Sequence, residues 1–392
     1  MIRERVQIPP EILPESHLLG SRHREFRRRL QEFTFGRVAP VAAQYEAEGR
    51  FPRDILEEMG RLGYMGVPFP TEYGGMGCDV VCLAILIEEL SRVWGSLGII
   101  LAAHIGLGST PIWMWGTEDQ KRKYLVRLAR GEIVGAYGLT EPQAGSDSGA
   151  TRTTAVLDGT HWVLNGTKCW CTNAGEAETY VVSAVTDPDK GKNGISAFIV
   201  ERGTPGFSFG KKEDKMGLRS SSTGVLIFED CRIPRENLLG QRGQGFKYFM
   251  QTLDGGRITI GAMALGLGQA ALDAVARKLA GENLLGEVFE HEYRLAPLAE
   301  MGTEIAAARH MIYDAALHRA NSPRWTMEGA MAKWLASEVA MRATSRALEM
   351  LGMEGLDSPV ARTYLDAKLC TIGEGTNEIQ RVVIAREMLR RL

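Results

Sequence analysis

Near the C-terminus of the chain, a glutamate lies between two glycines. Residues 371–381 read TIGEGTNEIQR, so Glu374 is flanked by Gly373 and Gly375. Because glycine has no side chain, a ligand can come close to this carboxylate, and a carboxylate in a tight pocket can have a raised pKa and act as a general base. The alternative is a solvated acid at a helix start, where its charge favours the helix dipole. This segment alone leaves both interpretations open.

A second segment carries hydroxyl groups on a tight loop. Residues 137–147 read YGLTEPQAGSD, in which Pro142 and Gly145 favour a turn. Such a loop exposes consecutive backbone N–H groups that can hold a phosphate, and Thr140 and Ser146 add hydroxyl donors. A plain connecting loop would explain the proline and the glycine, but it explains the hydroxyls less well. The pattern therefore indicates an anion-binding loop.

A third segment combines an aromatic residue with a hydroxyl. Residues 168–173 read KCWCTN, and on a strand Trp170 and Thr172 would point to one side while Cys169 and Cys171 point to the other. An aromatic face beside a hydroxyl suits a flat heteroaromatic ligand. Packing of Trp170 in the core is the alternative interpretation.

Helical and strand patterns divide the chain into three blocks that must position these segments. Residues 1–135 and 242–392 show apolar residues at helical spacing, whereas residues 136–241 contain short runs rich in Val, Ile, Thr and Tyr. We predict helices over residues 22–47, 52–62, 80–91, 118–128, 245–279, 294–320, 326–351, 362–369 and 377–392. We predict strands over residues 151–156, 161–165, 179–186, 194–201 and 224–228.

The middle block favours an antiparallel barrel or sandwich, because no long helical pattern separates its strands. The dipeptides Asp158-Gly159 and Asn165-Gly166 indicate hairpin turns. In the third block, the glycines at positions 266 and 268 fit a relaxed dinucleotide fingerprint, but that motif requires a preceding strand. They lie inside a long helical pattern, so we interpret them as a site of close helix packing.

Composition and charge exclude several classes of function. The 392 residues carry a net charge of −2, so the chain has no basic footprint for nucleic acid. No apolar run reaches about 18 residues without a charge or a helix breaker, which argues against a membrane span. The N-terminus lacks the apolar core of a secretory signal, and we expect a cytoplasmic protein. The six cysteines lack zinc-ligand spacing and a histidine cluster, so we expect reduced thiols and no metal site.

The three segments occur in one chain with helix–strand–helix order, and together they resemble the acyl-CoA dehydrogenase family over essentially the whole length. Residues 137–147 and 374–381 are similar to two family signatures, and MGLR at 216–219 and FEDCRIP at 228–234 match further family segments. The resemblance implies an α+β fold with an N-terminal helical domain, a middle antiparallel β-barrel or sandwich domain and a C-terminal four-helix bundle. We assign these domains to residues 1–135, 136–241 and 242–392.

The resemblance also implies a cofactor, partners and roles for individual residues. It implies FAD, an acyl-CoA substrate, an electron-transfer flavoprotein as acceptor and a homo-oligomer, either a tetramer or a dimer. Glu374 would remove the α-proton of the thioester while the β-hydrogen leaves as hydride to flavin N5, giving the trans-2-enoyl-CoA. FAD binding would involve Tyr137, Leu139, Thr140, Gly145, Ser146, Trp170, Cys171, Thr172, Thr376 and Glu378. Substrate binding would involve Ser146, Asp254, Arg257 and Gly375.

Three alternatives share most of these features. A substrate held on an acyl carrier protein would need a basic groove for the carrier. An oxidase or N-oxygenating flavoenzyme would use dioxygen, but related monooxygenases tend to lack the base, so Glu374 argues against this alternative. A non-catalytic member without FAD would act as an assembly subunit. Retention of Thr140, Trp170 and Thr172 together with Glu374 argues against that interpretation.

The chain departs from the family pattern on the outer, intersubunit half of the expected FAD site. An Arg-x-x-Phe-Gly element appears as ENLLG at 282–286, and a Gln-x-x-Gly-Gly element appears as EMLGM at 349–353. An arginine that usually precedes Asp366 is also replaced. The departures are Glu282, Leu285, Glu349, Met353 and Leu365. Because a carboxylate repels a diphosphate, we expect weaker FAD retention, or an outer half that is rebuilt with other contacts.

Substrate size has two opposing indications. The resemblance places the pocket floor around residues 86–104, where the bulky Trp94 would favour short acyl chains. Gly373, which precedes the glutamate, leaves extra room instead. We expect a short or branched acyl chain, and we interpret His104 as a packed histidine without a catalytic role.

Overall fold

The computed structural model describes residues 8–282, 291–322 and 324–392. The N-terminal block is helical, as predicted, and Thr117 caps one of its helices: the Gln120 N–H donates to Thr117 Oγ1 at 3.2 Å. Its α-helices are α1 (Ser21–Phe33), α2 (Ala39–Glu48), α3 (Arg53–Arg61), α4 (Val80–Val93), α5 (Gly95–Leu101), α6 (Thr110–Trp115), α7 (Glu118–Gln120) and α8 (Val126–Ala129). The π-helical turns Thr34–Val38, Ala102–Ser109 and Lys121–Leu125 connect several of them.

The continuous helical stretch Gly95–Trp115 was not predicted from the sequence. Its residues are apolar on nearly all sides because it is surrounded by other elements, so it has no amphipathic period. This stretch and the helix Gly245–Gly281 are long and apolar enough to cross a membrane by composition alone. However, 83% and 89% of their most apolar windows are buried inside the fold, which is typical of core helices.

The middle block forms one sheet of eight strands. They are β1 (Gly135–Gly138), β2 (Thr154–Asp158), β3 (His161–Thr172), β4 (Thr179–Val185), β5 (Ile195–Glu201), β6 (Phe207–Lys212), β7 (Thr223–Pro234) and β8 (Leu238–Leu239). The order is β6-β7-β3-β2-β4-β5-β8, and β1 pairs with β4. Most neighbours are antiparallel, as predicted, but β4 runs parallel to both β1 and β2. Strands β1, β6 and β8 are too short or too rich in glycine and charge to give a clear strand pattern.

Only one of the two predicted hairpin turns is present. Asp158-Gly159 connects β2 to β3, with Gly159 at φ +59°. The prediction for Asn165-Gly166 is wrong, because this dipeptide lies within β3 at a bulge, where Gly166 has φ +148°. A Cβ at this position would lie 2.7 Å from Cα of Thr153. The glycine therefore permits close approach of a neighbouring backbone rather than a chain reversal.

The C-terminal block is a helical bundle, as predicted. Its helices are α9 (Gly245–Gly281), α10 (Glu292–Asn321), α11 (Thr326–Leu351), α12 (Met353–Leu356), α13 (Pro359–Cys370) and α14 (Asn377–Leu389). Helix α9 packs against α4, α10, α11 and α13. A Cβ on Gly266 would lie 2.2 Å from the Glu88 carbonyl oxygen of α4, and one on Gly268 would lie 3.7 Å from Ala340 Cα of α11. The predicted role in close helix packing is confirmed for Gly266, whereas Gly268 is at ordinary contact distance.

Candidate active site

A cavity of ≈ 1350 Å³ lies between the sheet and the helical bundle. It is lined by most of the residues that the sequence marked for chemistry: Tyr137, Leu139, Thr140, Gly145, Ser146, Trp170, Thr172, Asp254, Arg257, Glu374, Gly375 and Thr376. Two marked residues are not among the described residues that line it. Cys171 is buried within the sheet, and Glu378 is exposed on α14, where Arg381 Nη2 donates to its carboxylate at 3.2 Å. Four separate chain segments thus meet in one cavity.

Glu374 lies in the short connection between α13 and α14 and faces this cavity. Its φ is +55°, a left-handed conformation that is uncommon for a residue with a side chain. Its Oε2 atom is buried and accepts no hydrogen bond from the described residues. Burial raises the pKa of Glu374 to about 8, although the positive charges of Lys333 and Arg257 act in the opposite direction. A carboxylate with these properties can accept a proton near neutral pH.

The carboxylate of Glu374 occupies space that only a glycine leaves open on α9. A Cβ built on Gly256 would lie 1.3 Å from Glu374 Oε2. Helix α14 fixes the other side of the connection, because Gln380 Nε2 donates to the carbonyl oxygens of Gly375 at 2.8 Å and Glu374 at 3.3 Å. The Thr376 hydroxyl caps this helix by accepting the Ile379 N–H at 3.3 Å. The position of Glu374 is therefore defined by two helices, α9 and α14.

Asp254 and Arg257 lie one turn apart on α9 and form an ion pair at the cavity wall. Arg257 Nη1 donates to Asp254 Oδ1 at 2.6 Å, and the Thr326 hydroxyl donates to Asp254 Oδ2 at 2.8 Å. Burial raises the pKa of Asp254 and lowers that of Arg257. Arg257 Nε is buried and has no partner among the described residues. The pair places a polar group beside Glu374 that is available to a ligand.

A buried ion pair connects the loop at 137–147 to strand β3, and sequence reasoning missed it. Lys168 Nζ is fully buried and donates to Glu141 Oε1 at 2.7 Å and to Ser183 Oγ at 2.8 Å. Glu141 also accepts the N–H groups of Arg152 at 2.7 Å and Thr153 at 3.0 Å. Burial alone would raise the pKa of Glu141, but Lys168 and these hydrogen bonds lower it to about 2. The only sequence signal for this ion pair is that each segment contains a charged residue, Glu141 in residues 137–147 and Lys168 in residues 168–173.

Trp170 presents a large aromatic surface to the cavity. Trp170 is 59% exposed, and its backbone has a φ of +55° at a bulge in β3. The bulge breaks the predicted alternation, so that Cys169 lines the cavity together with Trp170 and Thr172, and only Cys171 points away. The Cys169 N–H donates to the Thr140 carbonyl oxygen at 2.9 Å, which holds the two ligand-facing segments together. An exposed indole beside hydroxyls fits a planar aromatic cofactor.

The predicted floor range, residues 86–104, does contribute to the cavity wall, but Trp94 does not. Trp94 is 1% exposed, donates from Nε1 to Glu46 Oε1 at 2.6 Å and packs against Tyr45. It is not among the described residues that line the cavity, so the expectation that it shortens the pocket is wrong. Side chains from the helical stretch Gly95–Trp115 line this side instead, namely Ile99, Ala103 and Leu107. Ile99 and Ala103 lie within the predicted range 86–104, but the sequence did not single them out because the whole stretch is apolar.

His104 is a packed histidine, as predicted. It is fully buried, and its Nδ1 accepts the Gly135 N–H at 3.0 Å. Burial lowers its pKa to about 4, so the ring is neutral at physiological pH. It is not among the described residues of the cavity wall.

The two acidic residues that depart from the family pattern make their own ion pairs. Glu282 contacts Arg294, and the Glu349 carboxylate lies 3.7 Å from Arg346 Nε. Leu285 lies outside the described residues. Asp366, which follows the replaced arginine position, is buried and accepts the Leu218 N–H at 2.7 Å. Burial raises the pKa of Asp366 to about 7.

One cluster outside the cavity combines possible metal ligands. The ligand atoms of His23, Asp79 and Cys82 lie within 4.8 Å of one another at the start of α4. His23 Nδ1 accepts the Gly20 N–H at 3.1 Å, so Nε2 is assigned the hydrogen and donates to Asp79 Oδ2 at 2.8 Å. Asp79 Oδ1 caps the Cys82 N–H at 2.9 Å. These hydrogen bonds explain the cluster as a helix cap, and all six cysteines are free thiols, as predicted.

Comparisons with known proteins agree with this geometry. The models for the N-terminal, middle and C-terminal domains of acyl-CoA dehydrogenase match residues 20–132, 136–231 and 243–389. The short-chain specific acyl-CoA dehydrogenase of Clostridium acetobutylicum is 46% identical over 93% of this chain and 97% of that protein. The three matched domains cover the helical, sheet and helical blocks of the structure.

Two solved structures have nearly the same fold. Butyryl-CoA dehydrogenase from Megasphaera elsdenii is 40% identical, with a TM-score of 0.92 over 96% of this chain and all of that chain. A chain in a study of the electron transferring flavoprotein of Acidaminococcus fermentans, directed at flavin-based electron bifurcation, is 44% identical, with a TM-score of 0.93 over the same shares. This chain therefore belongs to the acyl-CoA dehydrogenase family and is an oxidoreductase of that family.

Proposed function

We propose that this protein oxidises a short-chain acyl-CoA to the trans-2-enoyl-CoA with FAD as cofactor and Glu374 as the base. One observation carries the proposal: a buried carboxylate without a hydrogen-bond partner among the described residues faces the cavity that Trp170 and Thr140 also line. The names of the similar proteins support a short acyl chain over a long one. The lining of the floor by Ile99, Ala103 and Leu107 is compatible with an apolar acyl group.

The residues present fit FAD. The loop at 137–147 offers hydroxyls at Thr140 and Ser146, and a Cβ on Gly145 would meet no described atom within 4 Å, so the loop leaves room for a ligand. Trp170 and Thr172 would lie against the isoalloxazine ring. Bound FAD would supply the acceptor for the β-hydrogen, taken up as hydride.

Glu374 would perform the proton transfer. Its Oε2 atom would remove the α-proton of the thioester, and burial favours the protonated form that results. With a pKa of about 8, about one tenth of the carboxyl groups are ionised at pH 7. Arg257 would support the ionised form before the transfer, and Asp254 holds Arg257 in place.

The proposal also includes an electron acceptor, an oligomeric state and a cellular location. We infer that an electron-transfer flavoprotein reoxidises the flavin, in line with the solved structure that comes from a study of such a protein. We further propose a homo-oligomer in the cytoplasm, a tetramer or a dimer. Because Glu282 and Glu349 replace other residues of the family pattern, we propose that this protein retains FAD more weakly. Full FAD content after dilution and gel filtration would contradict weak retention.

A visible spectrum of the purified protein tests the function. Flavin absorbance should bleach on anaerobic addition of butyryl-CoA, more slowly with octanoyl-CoA and least with palmitoyl-CoA. Isovaleryl-CoA distinguishes a branched-chain enzyme, and butyryl loaded on an acyl carrier protein distinguishes a carrier-dependent one. A colourless protein that added FAD cannot restore would contradict the proposal and favour a non-catalytic subunit. Rapid reoxidation of the bleached flavin by dioxygen would favour an oxidase.

A further inference from the structure

A lysine of α11 is buried beside the connection that carries Glu374. Lys333 is 0% exposed, and its Nζ donates to the Gly375 carbonyl oxygen at 2.9 Å and to Asn377 Oδ1 at 2.9 Å. Burying an ammonium group is costly unless acceptors surround it. Lys333 is not among the described residues that line the cavity. Its placement therefore calls for a reason other than direct contact with a ligand.

The hydrogen bonds of Lys333 fix the backbone next to the base. The Gly375 carbonyl belongs to the residue directly after Glu374, and Gln380 of α14 donates to the same oxygen from another side at 2.8 Å. Glu374 and Gly375 both have positive φ, at +55° and +93°. A left-handed conformation of a non-glycine residue persists only when its surroundings hold it in place. Lys333 and Gln380 supply that restraint.

A second set of contacts orients the acceptors toward Lys333. The Ser337 hydroxyl donates to Asn377 Oδ1 at 3.0 Å, and Asn377 Nδ2 donates to the Glu338 carboxylate at 2.8 Å. The asparagine amide is therefore turned so that its oxygen faces the ammonium. Lys333 and Ser337 lie one turn apart on α11 and Glu338 follows directly, so α11 contacts Asn377 at the start of α14 through three side chains.

The charged and titratable groups around Glu374 and Lys333 come from five elements. Lys333 of α11 and Arg257 of α9 are the cations that act on Glu374. Tyr137 of β1 also faces it, and the carboxylate contributes to the raised pKa of that phenol. Cys370 of α13 and Glu378 of α14 act on Lys333, whose pKa burial lowers to about 8. Arg257 is already paired with Asp254, whereas the hydrogen bonds of Lys333 go to a neutral carbonyl and a neutral amide.

We propose that Lys333 is a positioning residue for the dehydrogenation, which holds the Glu374–Gly375 backbone in its catalytic conformation and supplies the positive charge that favours the ionised base. The inference rests on the proposed role of Glu374. Lys333 touches neither substrate nor cofactor and acts through the neighbouring residues. Its absence should change how the base titrates, not only how fast the enzyme works.

The test compares Lys333→Met with Lys333→Arg. The methionine variant should fold, because Gly375 keeps the hydrogen bond from Gln380 and Asn377 keeps the one from Ser337. We expect the acidic limb of its kcat/KM profile with butyryl-CoA to move to higher pH by about one unit, which lowers kcat/KM about tenfold near pH 6 and much less near pH 9. Lys333→Arg keeps the charge and should keep the limb near that of the unmodified enzyme. Ser337→Ala removes a hydrogen bond without changing charge and should leave the limb in place.

An infrared titration separates this proposal from the proposed function. The carboxyl band that disappears in Glu374→Gln reports protonation of Glu374 directly, whether or not this residue is the base. A shift of that band to higher pH in Lys333→Met supports the role of Lys333. If the band shifts while the kinetic limb does not, Lys333 acts on Glu374 as proposed, but Glu374 is not the base. If the band of Lys333→Met does not shift, the proposal is overturned, whatever the change in activity.

Discussion

Substitution of Gly256 by alanine tests whether the geometry around the base controls the reaction. A methyl group at this position would lie 1.3 Å from Glu374 Oε2, whereas carbon and oxygen atoms in contact are separated by about 3.5 Å. The carboxylate would therefore have to move by about 2 Å. A displacement of about 1 Å in a catalytic group can lower the rate about 100-fold. We expect kcat with butyryl-CoA to fall at least 100-fold in Gly256→Ala.

The loss should be kinetic and not a consequence of unfolding. Alanine is favoured over glycine in a helix interior by about 1 kcal/mol, which offsets part of the local strain in α9. Gly281→Ala, in the same helix, is the matched control, because its Cβ would meet no described atom within 4 Å. Gly255→Ala would meet the flexible end of Arg319 at 2.6 Å instead of the base, so its effect should be smaller. Anaerobic single-turnover bleaching of the flavin gives the rate, and Gly256→Ala with more than about one third of the unmodified rate would refute the reasoning.

Two further predictions concern pH and the buried ion pair. Because burial raises the pKa of Glu374 to about 8, and because the base must be ionised, kcat/KM should fall about tenfold per pH unit below pH 8; a flat profile between about pH 6 and 9 would contradict this. In Glu141→Gln the Lys168 ammonium stays buried without its counter-charge. The free energy of unfolding in urea should therefore fall by about 3–5 kcal/mol, and FAD should be released more easily. A loss of stability below about 1 kcal/mol would argue against the role of the ion pair. Lys168 and the hydrogen bonds lower the pKa of Glu141 from 4.5 to about 2, so its contribution to stability is present above about pH 4.5 and is lost as the pH falls towards 2.

Several residues that line the cavity could be recognised from the sequence because their types carry the signal. Three short segments show this: a glutamate between two glycines, a loop with two hydroxyl groups, and a segment that combines an aromatic residue with a hydroxyl. The residues that hold them in place were not recognised. Lys168 and Glu141 are 27 positions apart, and only the fold shows that they meet. Lys333 lies on the apolar face of α11 between Ala330 and Ala336, an unusual position for a lysine that could have been noticed.

Errors in the predicted elements have physical causes as well. Asn165-Gly166 is a favourable turn dipeptide, but close approach of Thr153 made the glycine necessary inside a strand. The stretch Gly95–Trp115 is apolar on all sides, so it shows no helical period. Trp94 was expected at the pocket floor because the resemblance places the floor around residues 86–104, but its buried indole donates to Glu46 and is not among the described residues that line the cavity. Local pattern does not reveal which of several neighbours a buried side chain will meet.

The reduction of bound flavin by butyryl-CoA in Glu374→Gln tests the central claim most directly. The flavin of the unmodified protein should be reduced during the mixing experiment, because a positioned general base contributes a factor of about 10²–10⁴ to the rate. The glutamine variant should bind butyryl-CoA, as seen by a shift of the flavin spectrum, while its rate of bleaching falls at least 100-fold. Bleaching of the variant at the unmodified rate would show that another group removes the α-proton, and would contradict the assignment of Glu374 as the base.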